Sequence, residues 1–432
     1  MLDIRSNKKA CINKDFMGGY GWAFNAGNSF ACRMINFIKR VGEKLPIMSF
    51  GYLAAILSEN KDEVEYTQNT LPAAGTVIMQ SSMVEHNSEM EWARRLKKAG
   101  KKVGFIGPFS SAMPEIFLRE CDFVVRGEPE EAFYRLGKDR SPSGILESEL
   151  IENLDNLPFP RWEMLPYKDY SYFPALKERP FLPILSSRGC PYTCNYCPYL
   201  VNYKWRQRSA ENVLDEIGYL IGRFGMKAML FRDPIFTFDR NRTIQICEGI
   251  LERGYNIKWA CETRLDRVDK ELLKLMYSTG LRVMNVGIES GSEEVIKKAT
   301  RKPIETEYQE EMIRYCDKIG IRITAFYMFG MPDDTEKSLL GTIKYAKKLN
   351  THVAQFFIFT PFPGTQYYDT AKENIEERDW EKFDCYTPVF KHKNLTGARI
   401  LQLKEEAFTS YYYRLGWFAK FILRALRDIL NR

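Results

Sequence analysis

Between Ser187 and Pro198 the chain reads Ser-Arg-Gly-Cys-Pro-Tyr-Thr-Cys-Asn-Tyr-Cys-Pro, placing Cys190, Cys194 and Cys197 in one Gly/Pro-rich loop. Pro183–Ser187 before it reads as a strand, and residues from Ser209 to about Phe224 after it read as a helix with acids in its first turns. Iron–sulfur clusters that only carry electrons are usually held by four thiolates. A three-cysteine loop therefore borrows a distant fourth ligand or leaves one iron open to another molecule. Zinc or a disulfide is the alternative, but zinc sites generally need four ligands from paired Cys/His motifs. The three histidines, His86, His352 and His392, are all remote from the loop in sequence.

Five further strand-like runs follow the loop, at Lys227–Arg232, Ile257–Thr263, Val283–Glu289, Arg322–Met328 and Val353–Thr360, each separated from the next by a helix-length segment. Six β/α units of one period predict a partial parallel barrel with its active site at the carboxyl ends of the strands. Polar residues fall there: Asp233, Glu262 and Arg264, then Glu289 and Ser290.

The first part of the chain alternates in the same way. Strands are expected at Lys8–Asn13, Glu63–Tyr66, Thr76–Gln80, Lys102–Ile106 and Asp122–Val125, with helices at Pro46–Leu57, capped by Ser49, and at Ser88–Ala99. This pattern predicts a Rossmann-like doubly wound parallel sheet. Ligands of such sheets sit at the strand carboxyl ends, here near Ser81 and Ser82, Gly107 and Gly127.

The spacing Cys-x-x-x-Cys-x-x-Cys, with Tyr196 just before the third cysteine, resembles the cluster loop of the radical S-adenosylmethionine enzymes. Phe231-Arg232-Asp233-Pro234, Gly287-Ile288-Glu289-Ser290-Gly291 and the closing Gly330-Met331-Pro332 and Pro361-Phe362-Pro363-Gly364 are similar to that family's strand ends. The resemblance implies a [4Fe–4S] cluster on Cys190, Cys194 and Cys197, whose fourth iron chelates S-adenosylmethionine and cleaves it to a 5′-deoxyadenosyl radical. S-adenosylmethionine offers a carboxylate, a ribose diol, an adenine and a sulfonium, so its pocket wants a cation and hydroxyl acceptors. Arg264 is the candidate for the carboxylate; Glu262, Glu289, Ser290, Asp233 and Tyr196 are the other candidate contacts.

Residues 46–57 and Asp122–Glu130 resemble the cobalamin-binding domain that precedes the radical domain in one subfamily, which implies cobalamin and methyl transfer to an unreactive carbon. The Asp-x-His-x-x-Gly motif that supplies a cobalt-binding histidine in many cobalamin proteins is absent. One alternative is a cobalamin-independent dehydratase, oxidoreductase or rearrangement enzyme with a degenerate first domain. Another, of a different class, is a non-catalytic metal-binding adaptor.

These readings divide the chain into a cobalamin-type domain at 1–140, a Pro-punctuated linker at 141–180, the barrel at 181–370 and a helical extension at 371–432. Hydrophobic residues at 45% and no apolar run of membrane-span length point to a globular cytosolic protein, and the amino terminus lacks a signal-peptide pattern. The seven cysteines outside the loop are scattered and read as buried hydrophobes. A net charge of +7, spread along the chain, does not call for nucleic acid. The expected partners are a small-molecule or lipid substrate and an electron donor such as flavodoxin or ferredoxin. The basic amphipathic segment Trp417–Leu430 either docks on the barrel's open side or touches a membrane periphery.

Overall fold

In a computed structural model describing residues 1–6, 10–136, 141–200 and 204–420, two parallel six-stranded sheets organise the chain. The first contains β1 (Leu2–Asp3), β2 (Thr67–Gln68), β3 (Thr76–Gln80), β4 (Lys102–Ile106), β5 (Phe123–Arg126) and β6 (Gly144–Glu147), in the order β2-β1-β3-β4-β5-β6. Its central strands are buried on both faces, with Val77, Met79, Val103, Phe105, Phe123 and Val125 all in the core. That is why they read as continuous apolar runs.

Several bounds differ from expectation. The strand expected at Glu63–Tyr66 forms at Thr67–Gln68, where the Thr67 amide donates to the Met1 carbonyl. Asp122 precedes its strand rather than starting it, because its carboxylate accepts the Val103 amide. β1 is too short to show a period, yet it sits between β2 and β3. β6 lies inside the segment expected as linker and pairs with β5, so the first sheet extends to Glu147. The helix expected at Pro46–Leu57 runs instead as α2, Met48–Glu59. Ser49 lies in its first turn, and the cap position is Ile47, which gives no side-chain bond. Of the expected strand Lys8–Asn13, Cys11–Asn13 pairs antiparallel with Trp22–Phe24, while Lys8 and Lys9 lie outside the described residues.

The connection after β6 is three single 3₁₀ turns, with Trp162 fully buried. It runs between the units rather than along one. The Arg161 amide donates to the Gly51 carbonyl on α2, while Phe159 and Tyr167 pack on Tyr219 and Phe224 of the barrel.

The second sheet follows sequence order: β7 (Phe181–Ile184), β8 (Ala228–Phe231), β9 (Lys258–Thr263), β10 (Leu281–Glu289), β11 (Arg322–Phe329) and β12 (Val353–Ile358). All six are parallel, with helices between them, giving the expected open barrel. The helix Ala210–Phe224 starts where Ser209 Oγ accepts the Asn212 amide. The carboxy-terminal helix Gly397–Tyr412 closes on β12, with Phe408 and Tyr411 5.2 and 6.1 Å from the Phe356 ring. Residues 415–420 begin a further helix, with the Trp417 indole donating to the His352 carbonyl; the remainder of the expected Trp417–Leu430 helix lies outside the described residues. Among the described residues no helix is long and apolar enough to cross a membrane.

Candidate active site

Strand β7 delivers the chain into the cysteine loop through a turn tied down by three elements. First, Asp233 at the end of β8 accepts from the Ser186 amide at 2.8 Å and from the hydroxyls of Ser186 and Ser187 at 2.6 Å each. Second, Ser187–Arg188 forms a two-residue ladder with Arg206–Gln207, and Gly189 follows at φ +76°, where a Cβ would lie 2.6 Å from the Lys204 carbonyl. Arg188 then reaches Glu130 at 2.8 Å and Glu128 at 3.1 Å, beyond the end of β5, and Arg206 meets Glu128 at 2.7 Å. Burial raises the Glu128 carboxyl, but the two guanidiniums outweigh it and hold it down at about 2. Third, the Asn195 amide donates to Thr300 Oγ1 at 2.9 Å, and that hydroxyl donates to the Thr193 carbonyl.

The three cysteines thus line one wall of a cavity of about 1230 Å³ at the carboxyl ends of the barrel strands. Burial pushes the Cys190 and Cys197 thiols above their usual range. Such thiols ionise when a cation arrives, and metal binding releases their protons. Among the described residues no three His, Cys, Asp or Glu side chains converge closely enough to hold a single metal ion. The thiols instead share one cavity. Three soft ligands with Arg301 beside Cys194 suit an anionic iron–sulfur cluster with one corner free.

Facing the thiols are Glu289 and Arg301. A register shift between Gly287 and Glu289 bulges β10 at its end, and Glu289 sits at φ +67°, a strained conformation for a non-glycine residue. The Arg301 guanidinium donates to the Gly287 carbonyl at 2.8 Å and lies 3.4 Å from the Glu289 carboxylate. A Cβ at Gly287 would fall 2.2 Å from that carboxylate, so a larger residue there would push the Glu289 side chain aside. Burial, opposed by Arg301, raises the Glu289 carboxyl. Arg264 stacks 4.6 Å over the Tyr192 ring and pairs with Asp266 at 2.9 Å, while its buried Nη1 has no protein acceptor. Glu262 also reaches the cavity, pairing with Arg232 at 2.6 Å; burial raises it to about 6 despite that cation. Tyr196 packs its ring 6.0 Å from Phe359 on the same wall.

Two expected contacts are directed elsewhere. Asp233 is fully buried, spends its oxygens on Ser186 and Ser187, and does not line the cavity. Ser290 bonds Thr342 and the Ser292 amide, shaping the turn after β10. Residues the sequence reading passed over are Arg301, Tyr192, and the pair Trp22 and Asn285. These last two line the cavity with a buried Nε1 and a buried Oδ1 that have no protein partner.

A second cleft, of about 810 Å³, lies over the first sheet, and Tyr199 and Pro234 belong to the walls of both spaces. Gly107 lines it at φ +107°, where a Cβ would fall 2.3 Å from Gln80 Nε2, and Gly18 and Gly19 line it too, a Cβ on Gly19 falling 2.9 Å from Pro108. Tyr52, Ser49 and Arg188 complete the rim, and Gln80 Oε1 is buried without a partner. Bare backbone at a doubly wound sheet's carboxyl edge fits a large flat ligand. Ser81 and Ser82 stand behind this surface. Ser81 bonds Ser110 and the Ile106 carbonyl, and Ser82 bonds Glu89, which is ion-paired with Lys14. The Gly127 amide donates to Ser111 Oγ. None of the residues lining the cleft is a histidine. His86 instead packs edge-on to Phe109 and Phe117.

Comparison with known proteins matches residues 184–346 to the family described as the Radical SAM superfamily. An uncharacterised methyltransferase of Pyrococcus horikoshii is 32% identical over 358 residues, covering 75% of this chain and 77% of the relative. The chain belongs to the radical SAM superfamily. It is accordingly a radical SAM enzyme, using a [4Fe–4S] cluster and S-adenosylmethionine with an external electron donor and a small-molecule substrate. The bacteriochlorophyllide d C-12(1)-methyltransferase of Chlorobaculum tepidum is 26% identical, over 78% of this chain and 75% of that enzyme. In fold, this radical SAM enzyme is similar to the methyltransferase TsrM of Kitasatospora setae with cobalamin and a [4Fe–4S] cluster bound: the TM-score is 0.63 at 16% identity, covering 76% of each chain. It is also similar to the cobalamin-dependent enzyme OxsB, at TM-score 0.57 and 19% identity, covering 76% of this chain and 53% of that one.

Proposed function

We propose that this radical SAM enzyme is a cobalamin-dependent methyltransferase acting on an unactivated carbon. The observation that carries this reading is the pair of adjoining spaces. A thiol-lined cavity on the barrel and a glycine-lined cleft on the doubly wound sheet share Tyr199 and Pro234 as a common wall. The methyltransferase relatives and the cobalamin-bound neighbours agree with it.

Cys190, Cys194 and Cys197 would hold the cluster, which with S-adenosylmethionine supplies a 5′-deoxyadenosyl radical. Cobalamin, seated at Gly107, Gly18 and Gly19, would supply the methyl group. Arg264 offers the free Nη1 donor to a carboxylate, and Glu289, set by Arg301, accepts from an amino group or hydroxyl. Asp233 and Ser290 position the loop and the turn behind these groups. Aromatic walls at Phe16, Trp22, Phe326 and Phe357 exclude water from the radical. Trp22 Nε1 and Asn285 Oδ1 give a hydrophobic substrate one donor and one acceptor. The first unit runs through Glu147, the barrel from Phe181, and all ten cysteines are free, in keeping with a reducing cytosol and a flavodoxin- or ferredoxin-type donor.

The test is anaerobic reconstitution with iron, sulfide and hydroxocobalamin. The expected result is about four irons and stoichiometric cobalt per chain, with 5′-deoxyadenosine released on adding S-adenosylmethionine and reductant, and loss of iron and product when the three cysteines become Ala. Iron and product without cobalt would overturn the methyltransferase reading and leave a cobalamin-independent radical enzyme.

A further inference from the structure

Helix α1 (Phe30–Gly42) turns an unbroken apolar stripe to solvent. Phe30, Met34, Phe37, Ile38 and Val41 are 73, 46, 55, 48 and 58% exposed, and the spacing i, i+4, i+7, i+8, i+11 puts them on one face. Single exposed apolar residues are ordinary, whereas five on consecutive turns mark an interaction surface. Phe173, also exposed, extends the stripe, its carbonyl lying against Gly42.

The opposite face is firmly seated. Cys32 and Gly42 are buried, Lys39 lies 5.3 Å over the Trp22 ring, and Glu405 accepts the amides of Asn28 and Ser29 ahead of the helix. The stripe is therefore presented by a fixed element.

Its charge says what it faces. Arg33 and Arg40 are exposed along one flank, Lys44 is exposed just beyond the helix, and no acid occurs from Phe30 to Gly42. Glu43, just beyond, is buried and ion-paired with Lys39. An apolar stripe edged by cations is the chemistry of a helix lying in an anionic lipid interface. Two-fold pairing of two copies through this face would instead set like charges against one another.

We propose that α1 docks the protein on an anionic lipid bilayer, its five apolar side chains inserted and Arg33 and Arg40 among the headgroups. Trp22, beneath the helix, lines the catalytic cavity. The docked face and the cavity thus lie on two sides of one short hairpin.

The test uses the full-length, cluster-loaded protein, sedimented with vesicles of phosphatidylcholine alone or mixed with phosphatidylglycerol. Binding to the mixed vesicles is expected, at least about tenfold weaker to the neutral ones. Phe37→Ser with Ile38→Ser, and separately Arg33→Glu with Arg40→Glu, should each weaken it at least about tenfold at unchanged melting temperature and iron content. Three results would overturn the proposal: no binding to mixed vesicles, binding that both variants retain, or a dimer by light scattering that Phe37→Ser with Ile38→Ser dissolves. Vesicle binding is independent of S-adenosylmethionine cleavage, so this result and that of the reconstitution can fail separately.

Discussion

Asp233 separates two readings of the same residue, and its replacement discriminates between them. As a ligand contact it would leave the fold indifferent to its loss. As the anchor of the turn before Cys190 it holds three donors, all buried. Hydrogen bonds to a charged group contribute about 1.5–3 kcal/mol each. Two of the three donors here are hydroxyls free to rotate toward other acceptors, so the net cost of Asp233→Ala is taken at about 3–5 kcal/mol rather than the full sum. Arg242, whose guanidinium donates to the Ser186 carbonyl at 2.7 Å, also loses a neighbouring opposite charge. For a unit of barrel size this lowers melting by roughly 6–20 °C. Asp233→Asn keeps an acceptor toward the Ser186 amide and should cost less than half as much. Differential scanning fluorimetry of the anaerobic protein reads the shift, and iron per chain reads the loop. The fraction still holding a cluster should bind S-adenosylmethionine as tightly as the parent. Unchanged melting and iron with weakened S-adenosylmethionine binding would refute the anchoring argument.

Arg264→Gln removes the charged donor with the unpartnered Nη1 and should weaken S-adenosylmethionine binding to cluster-loaded protein about 10–100-fold at unchanged iron content, by equilibrium dialysis. Ser49→Trp, on the rim of the glycine-lined cleft, should lower cobalt uptake at least about tenfold and leave iron uptake intact, by metal analysis. His86 makes the third case. Burial against Phe109 and Phe117 lowers its imidazole to about 4, so folding with it neutral is favourable above the unfolded value near 6.5 and is lost as pH falls toward 4. Relative to the parent, His86→Leu should gain about 2 kcal/mol on going from pH 7 to pH 5, read from urea midpoints at the two pH values.

The barrel strands were legible because each is a buried apolar run closed by a polar or Gly/Pro stop, which fixes where a strand ends. That same feature gives a residue's position and not its partner. Asp233 and Ser290 stand at strand ends like Glu289, yet they face inward, to Ser186 and to Thr342. Glu289 faces the cavity because of a bulge, and a bulge leaves no mark in the hydrophobic period. Arg301 arrives from the turn after the helix Glu293–Lys298, and Trp22 from a hairpin outside the barrel, so no strand-end rule reaches them. The small residue Gly287 two positions before Glu289 was the one available hint of crowding there. β1 escaped notice for want of length, at two residues, and β6 because its half-buried Gly-Ile-Leu-Glu run is not a buried apolar stretch.

The cysteine loop has no regular structure to hold it, so its shape depends on what it is tied to, and the ties come from different parts of the chain. Asp233 belongs to the barrel, Thr300 to the segment after β10, and Glu128 and Glu130 to the first sheet's edge. The last tie is the costly one to lose, because removing a partner from a buried pair strands a charge, at about 3–5 kcal/mol. Loss of Glu128 would strand Arg206, whereas Arg188 would keep its pair with Glu130. Arg188 also lines the glycine-floored cleft, so the loop's second residue touches one space while its cysteines line the other. Anything that seats in the cleft and moves Arg188 therefore acts directly on the segment carrying Cys190, and the geometry of the thiols is set jointly by both sheets.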